Sequence, residues 1–168
     1  LPLIVEPVNR THPKLEIILH EVQTEVILKK LGEGTLDAGI LAVPLDMRGL
    51  EQIILYTEPF YVAVNNQHHF TKKSKILKED LKGETLLLLG DGHCLRGQVL
   101  DVCSYAMTKE RKDFQGTSLE TIRHMVSTGI GITLIPKTAV NFKHLNNNSS
   151  VKYIPFSKPE PARSVGLL

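Results

Sequence analysis

The chain has 168 residues, of which 42% are hydrophobic and 23% are charged, and its formal net charge is +2. These values are typical of a globular protein, and the length allows one ordinary domain or two small lobes. The sequence has neither a long basic run of the kind that binds nucleic acid nor an apolar run of the ~20 residues that span a membrane. We therefore expect neither kind of contact from this segment. Because Leu1 is not a natural start, the segment is expected to belong to a longer chain.

Apolar β-rich runs alternate with helical patterns, which is typical of an α/β fold with a largely parallel sheet. In chain order, the pattern predicts a strand at 15–22, a helix at 24–31, strands at 36–43, 50–56 and 60–64, a short helix at 76–81, a strand at 85–89, a helix from about 94, a helix at 117–129, and strands at 130–135, 151–155 and 164–168.

The helix at 117–129 has the clearest signals. Thr117 and Glu120 have the spacing of a capping box, and Gly129 is placed to end the helix. One face carries an apolar stripe, which predicts packing against the core. The stripe consists of Leu119, Ile122, Met125 and Val126.

Two segments have the composition of crossings between lobes. One is the bend at 57–61, and the other is the proline-rich segment at 157–163. A chain that leaves a first lobe near residue 60 and returns near residue 160 forms one lobe from residues 1–60 with 161–168 and a second from residues 61–160. The cleft between two such lobes is the expected ligand site.

Cys94 and Cys103 are the only cysteines and lie nine residues apart. Cys94 follows a Gly-Asp-Gly-His turn at a predicted helix start, where main-chain N–H groups favour a reactive thiolate. An intact helix would separate the two residues by roughly 13 Å, whereas a disulfide needs Cα atoms within about 7 Å. If the pair closes, the helix must open, and Gly97 inside it lowers the helix propensity by about 1 kcal/mol. An inert buried cysteine at position 94 is the alternative.

The remaining motifs favour neither a metal nor a cofactor. The histidines lack metal-ligand spacing such as HExxH, and there is no CxxC pair, so we interpret them as scattered surface or core residues. Neither a GxGxxG motif nor a phosphate-binding loop is present.

Residues 31–40, 57–64 and 126–136 together resemble the effector-binding domain of the LysR-type transcription regulators. Four further segments resemble the peroxide-sensing members of that family: 19–24, 90–103, 117–121 and 158–166. The resemblance covers nearly the whole chain. It implies an α/β fold with two Rossmann-like lobes joined by two hinge crossovers, as in periplasmic binding proteins.

The resemblance also implies roles for individual residues. Cys94 would be the peroxidatic sensing thiol, and Cys103 the resolving thiol that is buried until the helix opens. The implied peroxide pocket consists of Thr24, Gly92, His93, Gln98 and Arg163. Each polar member has a plainer interpretation: Thr24 as a helix N-cap, His93 as a structural histidine, Gln98 as a surface amide and Arg163 as a solvated loop residue.

The resemblance further implies a cytoplasmic regulator that is not an enzyme. Such a protein would sense hydrogen peroxide, form a homodimer through this domain and a tetramer at full length, and be reduced by glutaredoxin or thioredoxin. It would bind promoter DNA through an N-terminal winged helix-turn-helix outside this sequence and engage RNA polymerase. Two alternatives remain open, namely a LysR-type domain that binds a small metabolite and a thiol peroxidase.

Overall fold

A computed structural model describes residues 2–45, 49–104, 108–140 and 149–168. The helices are α1 (Pro2–Thr11), α2 (Thr24–Gly32), α3 (Cys94–Cys103) and α4 (Leu119–Ser127). The strands are β1 (Ile40–Val43), β2 (Ile53–Asn65), β3 (Thr85–Leu89), β4 (Lys109–Gly116), β5 (Thr133–Pro136), β6 (Val151–Pro155) and β7 (Ala162–Leu167). Short 3₁₀ turns lie at His69–Lys72, Glu79–Leu81 and Lys137–Ala139.

The long strand β2 organises the larger sheet, in which the strand order is β1-β7-β2-β5 and β6 also pairs with β2. Residues 53–59 of β2 pair with β7, whereas residues 60–65 pair with β5 and β6. These pairings are antiparallel, and the pairing of β3 with β4 is parallel. The expectation of a largely parallel sheet was therefore wrong, because the order of strands and helices along the chain does not decide which strands become neighbours.

The predicted bend at 57–61 is instead the point where β2 changes partners. Pro59 is opposite Ala162 of β7, and Phe60 is opposite Pro136 of β5. Proline cannot donate to a ladder, and here its missing N–H falls where one ladder ends and the next begins. The N–H of Phe60 donates to the carbonyl oxygen of Pro161 at 2.9 Å. One continuous strand therefore replaces the two that were predicted at 50–56 and 60–64.

The main core among the described residues is built by the middle of the chain, from Phe60 to Phe156. All the largest fully buried side chains belong to residues 60–156. In α4, Ile122 and Val126 are buried, while Leu119 and Met125 pack against the same cluster. The predicted apolar stripe is thus confirmed, and the predicted strands at 85–89 and 151–155 match β3 and β6.

The predicted cap of α4 was displaced by one residue. Ser118 is the N-cap, and its hydroxyl accepts a hydrogen bond from the amide of Thr121 at 3.1 Å. Glu120, which the capping-box interpretation required, instead pairs with Arg123. Gly129, two residues after the end of α4, has a φ of 81°, which agrees with its predicted role in ending this helix.

The predicted strand at 15–22 was wrong, since these residues form no β-ladder within the described part of the chain. An apolar run forms a strand only when a neighbouring strand satisfies its backbone. Leu15 and Ile18 remain exposed. The pattern also missed two elements: α1, which contains Pro7, and β4, which is rich in charged residues. No helix among the described residues is long and apolar enough to cross a membrane.

Candidate functional site

A cleft of about 340 Å³ lies between the beginnings of α2 and α3. Its lining residues are Thr24, Glu25, Gly92, His93, Cys94, Arg96, Gly97 and Leu100. Four of the seven residues predicted for the site are therefore brought together, although their positions in the chain differ by as much as 70. Gln98, Cys103 and Arg163 lie outside this lining.

Cys94 is placed at the start of α3 by the buried strand before it. The apolar strand β3 ends at Leu89, a turn follows, and His93 adopts the extended conformation of an N-cap (φ −86°, ψ 118°). The His93 side chain makes no capping hydrogen bond, and within the first turn the amide of Arg96 donates to the His93 carbonyl oxygen at 2.9 Å. Cys94 is exposed and free at this end of the helix. The predicted placement of Cys94 at the start of a helix is confirmed.

Gly92 allows this turn to approach α2 closely. Its φ is 86°, in the region that favours glycine. A Cβ at this position would lie 2.9 Å from Nε2 of Gln23, which immediately precedes α2. Gln23 is also the N-cap of α2, so Thr24 is the first helical residue rather than the cap. The close approach at Gly92 thereby places Thr24 in the wall of the cleft.

Cys103 ends the same helix in the core. Its side chain is buried among apolar residues, and its thiol is free. The interpretation of Cys103 as a small core hydrophobe is confirmed for this arrangement. Burial raises the pKa of the Cys103 thiol to about 12. Because the thiolate is the attacking form, this raised pKa makes the buried Cys103 thiol less reactive than an exposed one.

The buried Cys103 thiol should make the stability of the reduced protein fall at alkaline pH. Its pKa rises from an ordinary value of 9.0 to about 12, so the folded state keeps a proton that the unfolded state loses between those values. The contribution of the protonated Cys103 thiol to the free energy of unfolding is therefore fully present below about pH 9. It is lost between about pH 9 and 12, at up to ~1.4 kcal/mol per pH unit. We expect urea unfolding to show this loss relative to Cys103→Ala. Identical pH profiles for the two proteins would contradict it.

Arg96 is a site residue that sequence reasoning missed. Its Nη1 donates to the Leu89 carbonyl oxygen at 3.2 Å, its Nη2 to Glu110 at 2.7 Å, and its Nε lies 3.0 Å from an oxygen of Asp91. The side chain thus ties the start of α3 to the strand before it and to β4. The sequence did not indicate Arg96 as a site residue because it is two residues after Cys94, and residues two apart do not share a helix face. The Asp91 charge, which would oppose a thiolate, is paired with Arg96.

Arg163 and Gln98 come together beside α3. Nη1 of Arg163 lies 3.5 Å from Oε1 of Gln98, which is one turn after Cys94 and on the same side of the helix. The guanidinium also contacts Oε1 of Glu58, from Nε at 2.9 Å and from Nη2 at 2.8 Å. Arg163 is therefore a paired residue and not a solvated loop residue. Glu58 is a second residue that sequence reasoning missed.

One histidine pair forms a cluster, contrary to the interpretation of scattered residues. His68 and His69 each place Nε2 near Glu84, at 3.3 and 3.5 Å. Nδ1 of His68 accepts from the amide of Phe70, so in the neutral ring the proton belongs on Nε2, which can then donate to Glu84. A metal at Nε2 would need the opposite tautomer, so we interpret the cluster as structural. His144 lies outside the described residues.

The comparisons with known proteins place this geometry in a family. The LysR substrate binding domain family matches residues 1–168. The chain is 41% identical over 168 residues to a hydrogen peroxide-inducible genes activator of Dickeya chrysanthemi, covering 100% of this chain and 54% of that protein. It is 42% identical over 168 residues to the DNA-binding transcriptional dual regulator OxyR of Escherichia coli K12, covering 100% and 54%. The chain thus spans about half the length of these relatives.

Solved structures give the same result. The crystal structure of the oxidised form of OxyR has a TM-score of 0.85 and 42% identity, over 99% of this chain and 78% of that one. The reduced form of the OxyR regulatory domain from Pseudomonas aeruginosa has a TM-score of 0.85 and 37% identity, again over 99% and 78%. The predicted fold class, with a periplasmic-binding-protein-like arrangement, is confirmed.

Proposed function

This chain belongs to the LysR substrate binding domain family, and we propose that it is the regulatory domain of a transcription regulator that senses hydrogen peroxide. One observation supports this above the others. A single helix, α3, holds an exposed free thiol at its first residue and a buried free thiol at its last. Relatives that carry the name hydrogen peroxide-inducible genes activator match over the whole of this segment.

The proposed chemistry has two balanced steps. The Cys94 thiolate attacks one oxygen of peroxide, so an S–O bond forms, the O–O bond breaks, and the departing hydroxide takes a proton to become water. Cys94 is then a sulfenic acid. The Cys103 sulfur attacks the Cys94 sulfur, so the S–S bond forms, the S–O bond breaks and a second water leaves. The two thiols are oxidised, and one peroxide is reduced to two waters.

The second step requires α3 to open. Ten helical residues separate the two sulfurs' Cα atoms by roughly 13 Å, and a disulfide needs less than about 7 Å. Cys103 must also leave the core, where its pKa is raised to about 12. Oxidation therefore cannot proceed to the disulfide without refolding residues 94–103, and this refolding is the proposed signal.

We propose that the predicted pocket residues act on the first step. Thr24 and the turn at Gly92 and His93 line the cleft beside Cys94 and would hold peroxide there. Gln98 lies one turn further along α3, and Arg163 of β7 contacts it; the two would supply hydrogen bonds and positive charge to the leaving oxygen. This division follows from the contacts, since Gln98 and Arg163 bond each other and do not line the cleft.

We also propose the division into two lobes at the partner change of β2. One lobe is residues 1–60 with 161–168, and the other is residues 61–160. The change from β7 to β5 and β6 as partners of β2 supports this boundary. The main buried cluster supports it as well, because its members lie within residues 61–156 except Phe60, which stands at the boundary itself. The hinge strands would then be β2 and β7.

We extend the proposal to the whole protein, of which this chain would be one part. We propose a homodimer through this domain and a tetramer at full length, promoter DNA and RNA polymerase as partners, glutaredoxin or thioredoxin as reductant, and the cytoplasm as location. OxyR of Escherichia coli is named a DNA-binding transcriptional regulator, which supports the regulatory role and not an enzymatic one.

Stoichiometric oxidation tests the proposal directly. Peroxide should give one Cys94–Cys103 disulfide per chain in the full-length protein, measured by mass spectrometry of peptides, and Cys94→Ser should prevent it. Absence of this disulfide would remove the redox function and leave a metabolite-binding domain as the alternative. Rapid multiple turnover with thioredoxin would contradict a sensor and support a peroxidase instead.

Gly97→Ala should slow disulfide closure. Nothing lies within 4 Å of a Cβ built at Gly97, so alanine fits and stabilises the helix by about 1 kcal/mol. Closure from the sulfenic acid should then be about 5-fold slower, since the helix opens less often. Rapid-quench trapping followed by mass spectrometry measures this rate. Gly32→Ala at the end of α2, where a Cβ also has free space, is the matched control and should leave closure unchanged.

A further inference from the structure

We infer that Glu58 is a positioning residue for the oxidation of Cys94 and that it acts through Arg163. The inference rests on the proposed peroxide chemistry at Cys94 and adds a residue from outside the cleft. Glu58 lies on β2 directly opposite Arg163 of β7 in the antiparallel register. The two strands therefore hold these side chains side by side where β2 changes partners.

Both oxygens of the Glu58 carboxylate are engaged, and the side chain is only 3% exposed. Oε1 accepts from Nε and Nη2 of Arg163 at 2.9 and 2.8 Å. Oε2 accepts from the amide of Thr138, at the 3₁₀ turn after β5, at 2.8 Å. A carboxylate buried to this degree is stable only with such partners, so its position is fixed from two directions.

The two hydrogen bonds from Arg163 to Glu58 fix the orientation of the guanidinium. Two of the three nitrogens of Arg163 face Glu58, and the third, Nη1, reaches Oε1 of Gln98 on α3. Gln98 follows Cys94 by one helical turn and shares its side of the helix. Glu58 thus directs Nη1 of the guanidinium toward the helix that carries the sensing thiol. Without this anchor, the long arginine side chain has several rotamers available.

Two substitutions at Glu58 separate positioning from packing. Gln has the shape of Glu, but its amide cannot accept from Arg163 and from Thr138 at once, because one end is a donor. Asp keeps the negative charge for Arg163 but is shorter by one methylene and leaves unfilled space. A packing role predicts that Gln functions better than Asp. A role through the charge of Arg163 predicts the reverse order.

The experiment measures Cys94 sulfenic acid formation in the full-length protein with Cys103→Ser, by trapping with a dimedone reagent. We expect Arg163→Ala to lower the rate constant about 10-fold and Glu58→Gln about 5-fold, with Glu58→Asp between Glu58→Gln and wild type. The double variant Glu58→Gln/Arg163→Ala should equal Arg163→Ala within about 2-fold, since Glu58 has no further effect once Arg163 is gone.

The matched control is Thr57→Val. Thr57 neighbours Glu58 on β2, and its hydroxyl bonds that of Ser164 across the same two strands at 2.9 Å. It should leave the rate unchanged although it removes an inter-strand hydrogen bond. If Glu58→Gln does not fold, Glu58→Asp alone and with Arg163→Ala gives the same comparison.

Several outcomes would overturn the inference, and they are distinct from failure of the proposed function. Three results would each show that Glu58 does not act through Arg163. The rate constant of the double variant could fall by the product of the two single effects, Glu58→Gln could react faster than Glu58→Asp, or Glu58→Gln could react at the wild-type rate. An unchanged rate in Arg163→Ala would remove both this inference and the proposed role of Arg163. The proposed function itself would fail if Cys94 formed no sulfenic acid in the Cys103→Ser protein, or if the protein with both cysteines formed no Cys94–Cys103 disulfide.

Discussion

Replacing Cys103 with serine should abolish the peroxide-induced disulfide completely while Cys94 is oxidised at nearly the wild-type rate. Cys103 does not line the cleft at Cys94, so the first step does not depend on its sulfur. Within this segment the second step has no other thiol to use, because the segment contains only these two cysteines. Trapping of the sulfenic acid and peptide mass spectrometry measure the two steps separately.

The same variant should lose the structural response. In wild type, oxidation should raise amide hydrogen exchange across residues 95–103, because closing the pair requires α3 to open. In Cys103→Ser this increase should be absent, while α4 behaves alike in both proteins. Cys103→Ala is the control, since it removes the thiol and keeps an apolar side chain in the core. If exchange in α3 still rises in both variants after oxidation, the sulfenic acid alone opens the helix and the disulfide is not the cause.

The parts of the fold that sequence predicted are those with strong local signals. Strand β3 is a nearly continuous apolar run between turn residues, and α4 carries a regular apolar stripe. Local pattern could not show that β2 is one strand with two sets of partners, because partners are chosen by tertiary contacts. For the same reason residues 15–22, with the composition of a strand, form no ladder among the described residues.

The candidate site divides in a similar way. Cys94 and its turn were predictable because the thiol, the glycines and the helix start are adjacent in sequence. Glu58 and Arg163 are separated by 105 positions and meet only through strand register. Arg96 depends on carboxylates on two different elements, Asp91 and Glu110. No spacing rule covers such contacts, so the network that holds α3 became visible only in the structure.

Arg96→Met should accelerate disulfide closure about 10-fold or more, because it frees the start of α3. The Arg96 side chain is only 16% exposed and holds three oxygen atoms from Leu89, Asp91 and Glu110. Removal of Arg96 leaves Glu110 partly buried without a cationic partner, which destabilises the intact helix α3 by about 1–3 kcal/mol. Methionine keeps the unbranched stem and its apolar contacts. The opening of α3, which limits closure, should become more frequent by the corresponding factor.

Two measurements check this effect. Hydrogen exchange in the reduced protein should show α3 less protected, and rapid-quench trapping should show faster conversion of sulfenic acid to disulfide. Because Arg96 also lines the cleft, sulfenic acid formation is measured separately so that a change in the first step is not mistaken for one in the second. Arg111→Met is the matched control, since Arg111 pairs with the largely exposed Asp113, and such surface pairs contribute at most about 1 kcal/mol. Slower closure in Arg96→Met than in the control would show that Arg96 assists the resolving step and does not restrain the helix.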